Sequence, residues 1–129
     1  MPNIHIMIIE DDAEIQEFLI LLLSNNGYTT SSWSTSTQAV EQVVQHQPDL
    51  VVLDHRLGSP PDGWTIFNTL HGLLATAHIP VIICSAEPSL LRVHSDEIRA
   101  MHSDVLEKPF MPNQLLEKIE ALTLSSNER

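Results

Sequence analysis

The chain has 129 residues, the length of one ordinary domain, and 43% of them are hydrophobic, enough for a core without disulfide or metal staples. Its formal net charge is −11, and its six Lys and Arg are scattered, which excludes a nucleic-acid surface built on clustered cations. The one cysteine excludes an internal disulfide, and no apolar run approaches the roughly 20 residues that a membrane-spanning helix needs.

The elements follow from hydrophobic periodicity. Ile4 to Ile9 is a nearly continuous apolar run and predicts a buried strand. Asp12 to Asn25 carries Ile15, Phe18, Leu19, Leu22 and Leu23 at helical spacing, and Asn26-Gly27 ends it. Tyr28 to Trp33, rich in Thr and aromatics, predicts a second strand. Thr35 to His46 predicts a helix with Ala39, Val40, Val43 and Val44 on one face. Leu50 to Leu53 is a third strand, followed by a loop with Gly58, Pro60, Pro61 and Gly63 and a helix from Trp64 to Leu74. Pro80 to Cys84 is a fourth strand, and Pro88 to Met101 a more polar helix. Val105 and Leu106 mark a short fifth strand, and Pro112 to Leu124 a last helix opened by proline.

Five βα units in succession argue for an α/β fold with a parallel sheet covered on both faces. Right-handed crossovers make it doubly wound, with function at the carboxyl ends of the strands. Those ends carry Glu10, Asp11 and Asp12 after the first strand, Asp54 after the third, Ser85 and Ala86 after the fourth, and Lys108-Pro109 after the fifth.

Carboxylates gathered at one edge repel unless a cation joins them. Mg2+ takes oxygen ligands, keeps several waters, and uses one or two carboxylates beside phosphate oxygens. Asp11, Asp12 and Asp54 supply such a set, and the backbone carbonyl of Arg56 can complete it. A phosphoryl group on Asp54 brings further negative oxygens, which the metal, the Lys108 ammonium and the Ser85 hydroxyl can share.

With these pieces in order, the chain resembles the receiver domain of two-component response regulators over essentially its whole length. The matching segments are Ile8-Ile9-Glu10-Asp11-Asp12, Val51-Val52-Leu53-Asp54, Val81-Ile82-Ile83-Cys84-Ser85-Ala86 and Lys108-Pro109-Phe110. The resemblance implies a flavodoxin-like five-stranded sheet in the order 2-1-3-4-5. It implies Asp54 as phosphoacceptor, Asp11 and Asp12 as the acidic pair at the metal, Ser85 as the switch hydroxyl and Lys108 as the conserved lysine. Glu10 is expected to be peripheral. The implied donor is a histidine kinase or a histidine phosphotransfer protein, and the only catalysis expected is the domain's own phosphorylation and dephosphorylation. The responding surface is expected around the fourth helix, fifth strand and fifth helix, roughly Leu90 to Leu122, for an output partner the sequence does not name. A homodimer through that face is left open.

Three departures concern shape and output. The loop from Gly58 to Gly63 is one residue longer than the family pattern. Val105 stands where the family often has an aromatic residue, and a short β-branched side chain cannot swing as a ring does. Met101-His102 replaces a common Gly-Ala, so the cap of the fourth helix is expected to differ. His55 follows Asp54 and, by strand alternation, is expected to face away from it in a structural or solvent role. Arg56 and Glu87 flank the site and are expected to tune hydrolysis of the aspartyl phosphate.

Residues 1–124 are expected to form the receiver unit, with a polar tail at 125–129 and no output domain following. The start, Met1-Pro2-Asn3, lacks the basic segment of a signal peptide, so a cytoplasmic setting is expected by elimination. Two other classes remain open: a phosphorylation-independent interaction module of the same fold, kept alive by Val105, and a metal-dependent phosphatase. The phosphatase typically needs a second acid two residues past its nucleophile, where Asp54 has Arg56.

Overall fold

The computed structural model describes residues 3–127, and the side chains of residues 3–124. Its elements run β1 (His5–Ile9), α1 (Ala13–Asn25), β2 (Thr29–Trp33), α2 (Ala39–His46), β3 (Leu50–Asp54), α3 (Gly63–Gly72), β4 (Val81–Ser85), α4 (Pro88–Ala100), β5 (Asp104–Glu107) and α5 (Pro112–Asn127). The five strands form one parallel sheet in the order β2-β1-β3-β4-β5, as the resemblance implied. Among the described residues no helix is long and apolar enough to cross a membrane.

Strand alternation divides the core in two. Met7, Ile9, Val51, Leu53, Val81, Ile83 and Val105 face one way and pack on Ala39 and Val43 of α2, Ile66, Phe67 and Leu70 of α3, and Leu90 and Ile98 of α4. Ile6, Ile8, Leu50, Val52, Ile82, Cys84 and Leu106 face the other way, onto Leu19 and Leu23 of α1 and Leu115 and Ile119 of α5. Every residue of β3 and β4 is buried, the expected mark of central parallel strands covered on both faces.

Several boundaries move for identifiable reasons. Residues 35–38 do not join α2: Trp33 Nε1 and Thr35 Oγ1 both donate to the Thr37 carbonyl, and Gln38 takes a left-handed conformation at φ 60°. The polar side chains there compete with helical backbone pairing, so the helix starts at Ala39 rather than Thr35. Helix α3 stops at Gly72 instead of Leu74, because Thr76 Oγ1 donates to the Leu70 carbonyl at 2.6 Å and folds the chain back. Where a glycine was missed at the end of α4, His102 itself adopts the left-handed conformation at φ 54°. Helix α5 continues to Asn127, past the Leu124 boundary expected from sequence, while Glu128 and Arg129 of the expected tail lie outside the described residues.

Candidate functional site

The same alternation that sorts the core sorts the chemistry. Asp54 falls on the α1/α5 side of β3, in line with Leu50 and Val52, and only 7% of it is exposed. Glu10, one step past Ile9, falls on that side too and is 3% exposed. Lys108, after β5, reaches across so that its Nζ lies 2.8 Å from Asp54 Oδ1 and 3.6 Å from Glu10 Oε1. Carboxylate oxygens of Glu10, Asp11 and Asp54 all come within 4.8 Å of one another.

Electrostatics follow from this crowding. Burial, and then the nearby Asp54 charge, push the Glu10 carboxyl up to about 7, although the Asp12 N–H donates to it at 3.2 Å. Burial by itself would depress the Lys108 ammonium. The hydrogen bond to Asp54 and the charges of Asp54 and Glu10 outweigh that and hold it above the usual lysine range. One cation therefore serves two buried acids, and the site keeps surplus negative charge that a divalent ion can balance.

The acidic residues do not all stand where expected. Asp12 caps α1: its Oδ1 accepts from the Glu14 N–H at 2.9 Å and the Ile15 N–H at 3.1 Å. Glu10, expected at the periphery, stands beside Asp11 and Asp54 instead. Glu10 continues the Ile6, Ile8 parity that leads to the acceptor side, a signal the adjacent Asp11-Asp12 pair masks. The loop after β3 passes close to Asp11, since a Cβ on Gly58 would lie 3.2 Å from Asp11 Oδ2, and Gly58 has a positive φ of 82°. The loop is thus shaped around the acidic group, and it also carries Arg56. Its longer course encloses a cleft of about 490 Å3 lined by Arg56 through Asp62 and Thr65.

Ser85 is 2% exposed and lies on the α3/α4 side of β4. Its Oγ accepts from the Glu87 N–H at 2.9 Å and meets His55 Nδ1 at 2.9 Å. His55 does face away from Asp54, but it is buried and bonded rather than solvent-directed. Its Nε2 lies 3.7 Å from Asp62 Oδ2 at the cap of α3. Arg56 and Glu87 pair at 2.8 Å across the exposed mouth of the site. Val105 lines a groove of about 400 Å3 with Leu91, Arg99, Gln114 and Lys118.

Comparison with known proteins agrees with this fold. Residues 6–120 match the family model described as response regulator receiver domain. The DNA-binding response regulator MtrA of Mycobacterium tuberculosis is 29% identical over 119 residues, covering 90% of this chain and 49% of that protein. The phosphate regulon transcriptional regulatory protein PhoB of Escherichia coli is 29% identical over 120 residues, covering 91% and 50%. The chain therefore spans about half the length of these curated relatives. Among solved structures, the N-terminal domain of a response regulator receiver protein from Methanoculleus marisnigri superposes with a TM-score of 0.72 at 29% identity, covering 91% of this chain and 94% of that one. A putative response regulator from Chloroflexus aurantiacus shares the fold at a TM-score of 0.82 and 22% identity, covering 95% and 99%.

Proposed function

The chain belongs to the response-regulator receiver domain family, and from that premise we propose that it accepts a phosphoryl group on Asp54 in a magnesium-dependent reaction. The donor in this reading is the phosphohistidine of a histidine kinase or a histidine phosphotransfer protein. A carboxylate oxygen of Asp54 attacks phosphorus, the P–N bond to the donor imidazole breaks, and the imidazole leaves with the electron pair. Hydrolysis of the resulting acyl phosphate returns the domain to its starting state. A cytoplasmic setting goes with this reading.

The observation that carries it is the Lys108 ammonium 2.8 Å from the Asp54 carboxylate, at the edge of an acidic group in which Glu10 and Asp54 are buried and Asp11 is exposed. Lys108 both orients the nucleophile and offers positive charge to the incoming phosphoryl oxygens. Glu10, Asp11 and Asp54 would hold Mg2+, with the Arg56 carbonyl as a fourth protein oxygen. Asp12, as the cap of α1, supports that set from outside it. The bound ion supplies charge neutralisation for a phosphoryl oxygen. Ser85 then serves a further phosphoryl oxygen and carries the change of state toward α4, β5 and α5, where an output partner or a second copy of the chain would read it.

The test is intact-mass spectrometry after incubation with a small-molecule phosphodonor and magnesium, alongside Asp54→Asn. A single added phosphoryl group on the wild type and none on the variant is the expected result. A stable phosphoryl group on Asp54→Asn would overturn the assignment.

A further inference from the structure

The Ser85 hydroxyl has one proton to give, and its neighbours decide where that proton goes. Its oxygen already accepts from the Glu87 N–H at 2.9 Å. The remaining contact is His55 Nδ1 at 2.9 Å, on the side of the sheet opposite Asp54. The other ring nitrogen, Nε2, faces the Asp62 carboxylate at 3.7 Å, too long for a hydrogen bond but close enough for attraction. That carboxylate is fixed by the Thr65 N–H on its Oδ1 at 2.9 Å, the cap of α3. A negative charge opposite Nε2 favours the ring proton there. Nδ1 then presents its lone pair, and Ser85 is the donor.

We propose that His55 is a positioning residue that holds the Ser85 hydroxyl away from Asp54 and competes with the aspartyl phosphate for its single proton. This rests on the phosphoacceptor reading above and deepens it. When a phosphoryl group forms on Asp54, Ser85 must release His55 to donate to a phosphoryl oxygen. The unphosphorylated arrangement is therefore held by a named bond, and the cost of breaking it is subtracted from the affinity of the site for a phosphoryl group. The freed imidazole lies in a cleft of about 180 Å3 bounded by Asp62, Trp64, Ser89, Leu90 and His94. Trp64 stacks on His94 of α4 with ring centroids 4.0 Å apart. Release of His55 thus acts on the contact between α3 and α4, a route to α4 that does not need a ring at position 105.

The test is a double-mutant cycle in beryllofluoride affinity at saturating magnesium, using wild type, His55→Phe, Ser85→Ala and the double variant. His55→Phe removes the acceptor and should tighten beryllofluoride binding about three- to tenfold, the range of one net hydrogen bond. The gain should vanish in the Ser85→Ala background, whereas a merely structural role for His55 would change both backgrounds alike. Equal changes in both, or no gain in the first, overturn the proposal. If no protein in the set binds beryllofluoride, the phosphoacceptor reading itself fails. A second measurement needs no variant: imidazole 15N shifts of the wild type should show His55 protonated at Nε2, with Nδ1 accepting a hydrogen bond that is lost on beryllofluoride addition. A proton on Nδ1, or shifts indifferent to beryllofluoride while it binds, would equally overturn it.

Discussion

Gly63 packs so closely on Asp54 that a Cβ at this position would stand 2.5 Å from the Asp54 carbonyl oxygen and 2.8 Å from the His55 Cα. Both neighbours are backbone at the end of β3, and Gly63 also donates its N–H to the His55 carbonyl at 2.8 Å. Neither side can yield without moving the acceptor. Gly63→Ala is expected to destabilise the fold by about 1–3 kcal/mol, the usual cost of overpacking. Gly72 offers the internal control, since a Cβ there meets nothing within 4 Å. Urea unfolding of both variants checks this; a Gly63→Ala protein as stable as Gly72→Ala would refute the close packing.

The raised Glu10 carboxyl gives stability a pH signature in magnesium-free buffer. Folding pushes this carboxyl up to about 7 from 4.5, its ordinary value in the unfolded chain. Between those values the folded state binds the extra proton, so this contribution is fully present below about 4.5 and is lost as pH rises through about 7. The loss amounts to roughly 1–3 kcal/mol. Glu10→Gln should remove that slope, and magnesium affinity of the wild type should rise across the same window because binding expels the proton. Parallel stability curves for wild type and Glu10→Gln between pH 5 and 8 would contradict it.

Glu10 lies in the acidic group while Asp12 caps α1, and a magnesium titration separates their proposed roles. Magnesium should stabilise the wild type, by linkage about 2.7 kcal/mol at a hundredfold excess over Kd, and so raise its melting temperature. Glu10→Gln and Asp11→Asn should flatten the response. Asp12→Ala should keep it while lowering baseline stability by about 1 kcal/mol through the lost cap of α1. A flat response in Asp12→Ala together with a normal one in Glu10→Gln would return Asp12 to the metal.

The Arg56–Glu87 pair joins the loop after β3 to the loop after β4 over the mouth of the site. Its exposure makes it a minor term in stability, within about 0.5 kcal/mol. Its residues lie two positions past Asp54 and two past Ser85, and the pair is expected to slow the attack of water on an aspartyl phosphate. Glu87→Ala is expected to shorten the aspartyl-phosphate lifetime severalfold, and exchanging the two residues should restore much of it. Lifetimes identical across the set would show that the pair does not gate hydrolysis.

Much of this architecture can be read from the chain because two periodicities carry it. The apolar runs Ile6 to Ile9, Leu50 to Leu53 and Val81 to Cys84 have no polar interruption, which only strands buried on both faces tolerate. Asp54 ends one such run and Lys108 follows the short Val105-Leu106 strand, and the fold brings these two together from 54 positions apart. The start of α2 was not legible, because Trp33, Thr35 and Thr37 satisfy one another locally and helical spacing cannot reveal that. Glu10 was obscured by the more conspicuous Asp11-Asp12. The His55–Ser85 bond needs the register Asp54↔Cys84, which places the next residues of both strands side by side; parity alone gives only the direction of His55.

Cys84 sits in the inner layer between the sheet and helices α1 and α5, 3% exposed, with burial pushing its thiol up to about 12. An alkylating reagent consumes thiolate, and a buried, protonated sulfur supplies almost none until that layer parts. The protein therefore carries its own stopwatch. The rate at which the one native cysteine is labelled reports how often helices α1 and α5 lift from the sheet, without any label engineered into the chain.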